Sequence, residues 1–119
     1  MTPTGGSTSN RLKRVCVFAG SSPGNDPRFL DAARELGAAL AQRGVALVYG
    51  GANVGLMGAT ANAVLEGGGH VIGVIPRHLL DFEVAHTGIP DLRIVESMHE
   101  RKALMAELSD AFVALPGGF

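Results

Sequence analysis

At 119 residues with 46% hydrophobic side chains, the chain suffices for one small domain with a buried core. Ten Lys and Arg against eleven Asp and Glu leave a net charge of −1, which gives no basic footprint for a nucleic acid polymer or an anionic membrane. The single cysteine, Cys16, rules out an internal disulfide and a cysteine-rich metal site, and no apolar run reaches the roughly 20 residues that span a bilayer.

Residues 1–10 are rich in Gly, Ser and Thr and lack an apolar h-region, so they read as a disordered tail rather than a signal peptide. The domain is expected over residues 11–119, in a reducing cytoplasm that suits one buried thiol. Arg14–Ala19 is short, β-branched and aromatic, and predicts a strand. After a Gly/Ser/Pro loop, Asp26 reads as an N-cap with Pro27 at the first helical position. Phe29, Ala32, Ala33, Leu36 and Leu40 then share one helical face, and Gly44 is a stop signal. Val45–Tyr49 is the second strand. It is followed by Gly50-Gly51 and a helix burying Met57, Ala61, Val64 and Leu65, which Gly67-Gly68-Gly69 ends. His70–Ile75 is the third strand, Pro76–Pro90 is irregular, and Leu92–Val95 is a short fourth strand. Ser97 and Glu100 match a capping box for a helix reaching about Ser109, and Ala111–Leu115 is the fifth strand.

Apolar strands alternating with helices predict a doubly wound parallel sheet in a three-layer α/β/α arrangement. The sequence stops four residues after the fifth strand, so the fold reads as incomplete at its C-terminus, with part of one sheet face bare.

Seventeen glycines are about twice the usual share of roughly 7%. Three groups, Gly20-Ser21-Ser22, Gly50-Gly51 and Gly117-Gly118, follow strand ends. In an open parallel sheet ligands bind at the strand C-termini, and glycine lets a phosphate approach the backbone. Two readings stay open at this point, a nucleotide or similar phosphorylated ligand and ordinary strand-to-helix turns. The G-x-G-x-x-G fingerprint and the Walker A motif are both absent. Arg101 and Lys102 lie in the first turns of the last helix, where the macrodipole disfavours cations. Either they are held for an anionic partner or they form part of a solvated face. His70, His78, His86 and His99 have no metal-ligand spacing, and no metal or other cofactor is expected.

Five ordered segments together resemble the Lonely guy (LOG) family: Val17–Ser22, Val48–Gly51 with Gly55–Gly58, Val71–Pro76, Met98–Lys102 and Leu115–Gly118. The resemblance implies a Rossmann-like fold, usually a homodimer. It also implies cleavage of the N-glycosidic bond of nucleoside 5′-monophosphates, AMP or cytokinin riboside monophosphates, to free base and ribose 5-phosphate. A lysine decarboxylase would need a lysine for a pyridoxal phosphate Schiff base. Of the two lysines, Lys13 lies beside the tail and Lys102 in the Arg-Lys motif.

By the same resemblance Arg101 is the catalytic arginine, and Lys102 and Glu83 contact substrate. Gly117 and Gly118 begin the phosphate cradle, and Ser21, Gly50 and Gly51 line the pocket. The family pattern Pro-Gly-Gly-x-Gly-Thr-x-x-Glu runs only to Phe119 here, without the Gly-Thr and the glutamate used at the sugar. An oxocarbenium-like transition state calls for a carboxylate, so weak or no catalysis is expected of these 119 residues. A non-catalytic nucleotide-binding or carrier module on the same fold is the alternative.

Overall fold

The computed structural model describes residues 12–18, 27–51, 55–80 and 88–115. Five strands form one sheet: β1 (Arg14–Phe18), β2 (Ala46–Tyr49), β3 (Val71–Pro76), β4 (Asp91–Val95) and β5 (Ala111–Ala114). Three α-helices connect them: α1 (Pro27–Gln42), α2 (Gly55–Glu66) and α3 (Met98–Leu108). The strand order is β4-β3-β2-β1-β5, and every pairing is parallel. The doubly wound α/β expectation holds, because each pair of parallel neighbours needs a long crossover.

Each sheet face has its own core. Strand side chains alternate, so Val15, Val17, Leu47, Tyr49 and Val71 point to the face covered by α1 and α2. Cys16, Val48, Ile72 and Val74 point to the other face, covered by Met105, Leu104 and Leu108 of α3. Leu47, Val48, Tyr49, Val71 and Val74 are fully buried, each contributing roughly 1.5–3 kcal/mol relative to exposure. Cys16 is the buried strand residue expected, and burial pushes its thiol up to about 11 against the opposing hydrogen bond from Ser109. Tyr49 is also fully buried, and burial raises its phenol well above the ordinary tyrosine range.

α1 and α2 pack so closely that side chains are excluded between them. A Cβ at Gly37 would lie 2.5 Å from Thr60 O and 2.7 Å from Ala63 Cβ. Gly37 is therefore a core residue of α1 alongside Ala33 and Leu40, a position absent from the apolar stripe read from the sequence. α1 ends at Gly44 in a Schellman motif, with Gly44 N donating to Ala41 O and Val45 N to Leu40 O. α2 ends the same way through Gly68 and Gly69.

The edges of the sheet depart from the expectation of strands buried on both faces. β1, β2 and β3 are buried through their middles, but β4 is mostly half-buried and β5 mostly exposed. Phe112 is 54% exposed and Val113 37%. A short 3₁₀ turn, Arg77–Leu79, follows β3 within the stretch read as irregular. Ser97 caps α3 as predicted, its Oγ accepting from Glu100 N at 3.1 Å. Glu100 Oε1 reaches one residue further back than the usual box and accepts from Glu96 N at 2.7 Å. The tail of residues 1–10 lies outside the described residues.

Candidate functional site

The strands advance from β1 to β4 in one direction, and β5 then returns to the other side of β1. This reversal places a topological switch point at the C-terminal ends of β1 and β5, where open α/β sheets bind ligands. Pairing holds to that edge, with Leu115 N donating to Phe18 O at 2.8 Å. Ser21, Glu83, Gly117 and Gly118 of the expected site lie outside the described residues. Gly50, Gly51, Arg101 and Lys102 are described, and the fold brings Gly50 and Arg101 into contact.

Arg101 owes its direction to the helix period. Arg101, Leu104, Met105 and Leu108 fall at helical spacings of three and four, so the stripe that packs α3 onto the sheet has an arginine as its first member. From there the half-buried side chain reaches the C-terminal end of β2 and the neighbouring part of β3. Its Nε donates to Val74 O at 3.0 Å and its Nη2 to Gly50 O at 2.7 Å. Met98 Sδ lies 3.9 Å from Nη1.

The β2–β3 register accounts for these partners. The ladder runs Leu47↔Val71, Val48↔Ile72, Tyr49↔Gly73 and ends there. The next pair in that register is Gly50 and Val74, whose carbonyls are the two that receive the guanidinium. The planar fork of arginine thus donates to two main-chain carbonyls just beyond the last pair of the β2–β3 ladder. β2 leaves the sheet here because Gly51 adopts φ +86, a conformation that side-chain-bearing residues rarely tolerate. Gly51 is buried, and a Cβ on it would meet Leu92 Cδ1 at 3.1 Å and Ile75 Cβ at 3.4 Å. Gly73 lies against it, since its own Cβ would fall 3.0 Å from Gly51 Cα.

Lys102 is one residue round the helix and serves a different place. With His99, Ala103, Met105, Ala106, Phe18 and Phe112 it lines a groove of about 440 Å³ between α3 and the β1–β5 pair. The groove wall is aromatic, with Phe18 and Phe112 stacked at a centroid distance of 6.0 Å and an interplanar angle of 9°. His99 is exposed and lines this groove. Among the described residues no group of three or more His, Cys, Asp or Glu is placed to hold a metal ion, and no helix is long and apolar enough to cross a membrane.

Sequence reasoning missed that Val74 and Met98 flank the arginine. The signal was available in the i, i+3, i+4, i+7 spacing, which puts Arg101 on the sheet-facing side of α3 rather than on a solvated face.

Comparison with known proteins agrees with this architecture. The family described as "possible lysine decarboxylase" matches residues 57–119. A rice protein (Oryza sativa subsp. japonica) named "probable cytokinin riboside 5′-monophosphate phosphoribohydrolase LOGL9" is 58% identical over 97% of this chain and 51% of its own length. Rice "cytokinin riboside 5′-monophosphate phosphoribohydrolase LOG" is 51% identical over 96% of this chain and 47% of its own length. The chain thus spans about half the length of the curated relatives it matches. Among solved structures, the molybdenum cofactor carrier protein of Chlamydomonas reinhardtii superposes with a TM-score of 0.74 at 25% identity, covering 91% of this chain and 65% of that one. By these matches and its Rossmann-like sheet, the chain belongs to the LOG family, the family that carries the lysine decarboxylase description.

Proposed function

We propose that this chain forms the nucleotide-binding part of a phosphoribohydrolase acting on nucleoside 5′-monophosphates. The observation that carries the reading is the placement of Arg101, in the Met98–Lys102 segment that carries part of the resemblance to the LOG family, at the C-terminal end of β2. In the reaction water adds to C1′ of the ribose, the C1′–N bond breaks, and the base leaves with a proton. Charge builds on the sugar as the bond opens, and a guanidinium held in fixed geometry can orient the phosphate, a ribose hydroxyl or a carboxylate partner. Lys102 adds a second cation on the side of the β1–β5 switch point.

The substrates we infer are AMP and cytokinin riboside 5′-monophosphates, the latter because the relatives above are named for them. From the single buried cysteine we further infer a reducing cytoplasm, and from the family resemblance a homodimer. The carrier reading keeps support from one observation, the 0.74 TM-score to a molybdenum cofactor carrier.

Incubation with AMP and with isopentenyladenosine 5′-monophosphate, followed by chromatography of free base, separates the two. The assay uses the chain as it stands and the chain extended through the Gly-Thr-x-x-Glu of the family pattern. Release of base that Arg101→Ala abolishes supports the hydrolase. Tight nucleotide binding by both forms with no release from either overturns it in favour of the carrier.

A further inference from the structure

The glycine at position 50 raises a narrower question than its neighbours do. Gly51 needs its positive φ, but Gly50 is not among the left-handed glycines, so its backbone accommodates a side chain without strain. What stands in the way of a side chain is Arg101. A Cβ on Gly50 would fall well inside van der Waals contact distance of Arg101 Nη2 and lie 3.3 Å from Cζ and 3.7 Å from Nε. Among the described residues all three of the nearest atoms belong to that one guanidinium, and neither main chain nor core side chain is among them.

We infer that Gly50 is a positioning residue for Arg101. Its missing side chain leaves the space in which the guanidinium docks across Gly50 O and Val74 O. This assigns the glycine a role other than close approach of a phosphate, and its consequence for catalysis rests on the hydrolase reading above. The obstacle is the far end of a long side chain, so an alanine at position 50 is accommodated by rotating Arg101 away, without moving β2. That rotation gives up the hydrogen bonds of 2.7 and 3.0 Å and leaves the fold standing. Arg101 would then swing out from the end of α3, losing the geometry that puts it at the sheet edge.

The test is arginine side-chain NMR on the chain labelled with ¹⁵N-arginine, the Arg101 Nε–H signal being assigned by its loss in Arg101→Lys. In Gly50→Ala that signal should move to the position of solvent-exposed arginines, and its exchange with water should quicken about tenfold, as for the loss of one buried hydrogen bond. The backbone amide spectrum of β1 and β3 should be preserved. An unchanged Arg101 signal in Gly50→Ala overturns the inference.

Should Gly50→Ala fail to fold, the same substitution in an Arg101→Ala background decides the matter. Folding restored there confirms that the arginine is the obstacle, and failure there too shows that the backbone demands glycine and overturns the inference. In the cleavage assay Gly50→Ala should lower kcat with little change in KM, and should add nothing to Arg101→Ala in the double variant. A released Arg101 signal with undiminished cleavage upholds the positioning role and removes Arg101 from the chemistry, whereas a released signal with no cleavage by the parent or the extended chain upholds the positioning role while the hydrolase reading fails.

Discussion

The two faces of the sheet are built on opposite plans. Under α1 and α2 the packing is close, glycine-lined and apolar, and the buried polar side chain there, Thr60, turns its hydroxyl onto Leu56 O of its own helix. Under α3 the core is smaller, a cation begins the packing stripe, and Phe18 and Phe112 stay 45% and 54% exposed. The first face fixes the strands, and the second carries the groups that reach the sheet edge. Substitutions should therefore lose stability on one side and chemistry on the other.

The largest effect should come from Arg101→Ala. If this guanidinium acts on the reacting nucleotide, kcat should fall by about 10²–10³, as for loss of a positioned electrostatic group. Steady-state release of base by the chain extended through the family pattern measures it, and a loss confined to KM would reduce the arginine to uniform binding. Next comes Gly37→Val on the opposite face. Overpacking against Thr60 O and Ala63 should cost about 1–3 kcal/mol, read as a lower urea midpoint with an unchanged slope. A midpoint equal to that of the parent would show that α1 and α2 can move apart, and the contrast between the faces would weaken.

A smaller effect is expected at the N-terminal end of the sheet. Asp110 Oδ2 accepts from Lys13 N at 2.9 Å and Arg14 N at 3.0 Å, and these backbone donors hold its carboxyl below the usual carboxylate range. The folded-state pKa is depressed, so the stabilisation is complete above the unfolded value of about 4 and fades as pH falls through it toward the folded one. Asp110→Asn should lower the Tm at neutral pH, and the gap should close in acid. A gap that persists at low pH would assign the loss to packing instead. The smallest effect is expected for Phe112→Ser, an exposed edge position, within about 0.5 kcal/mol by the same urea titration.

Strand and helix identities were legible because β1, β2 and β3 are short, apolar and bounded by glycine or turn residues, and because Ser97 and Glu100 announce α3. Two features were hidden for physical reasons. Gly37 sits in mid-helix, where glycine reads as a weakness until a second helix is seen against it. The orientation of Arg101 depends on where the β2–β3 ladder ends, a register that no single segment encodes. Among the expected site residues, Gly50 and Arg101 are in contact, Gly51 is buried against Ile75 and Leu92, and Lys102 opens onto the aromatic groove. Ser21, Glu83, Gly117 and Gly118 lie outside the described residues.

The placement of Tyr49 has an optical consequence. The chain holds one tyrosine and no tryptophan, so its intrinsic near-ultraviolet signal comes from a single chromophore with five phenylalanines as weak background. That ring is wholly enclosed on the α1/α2 face, and its peptide link runs directly into the carbonyl-bearing residue that receives Arg101. Tyrosine emission and circular dichroism therefore report on one known spot, the end of β2. A binding event that shifts Gly50 can be followed there without any added dye.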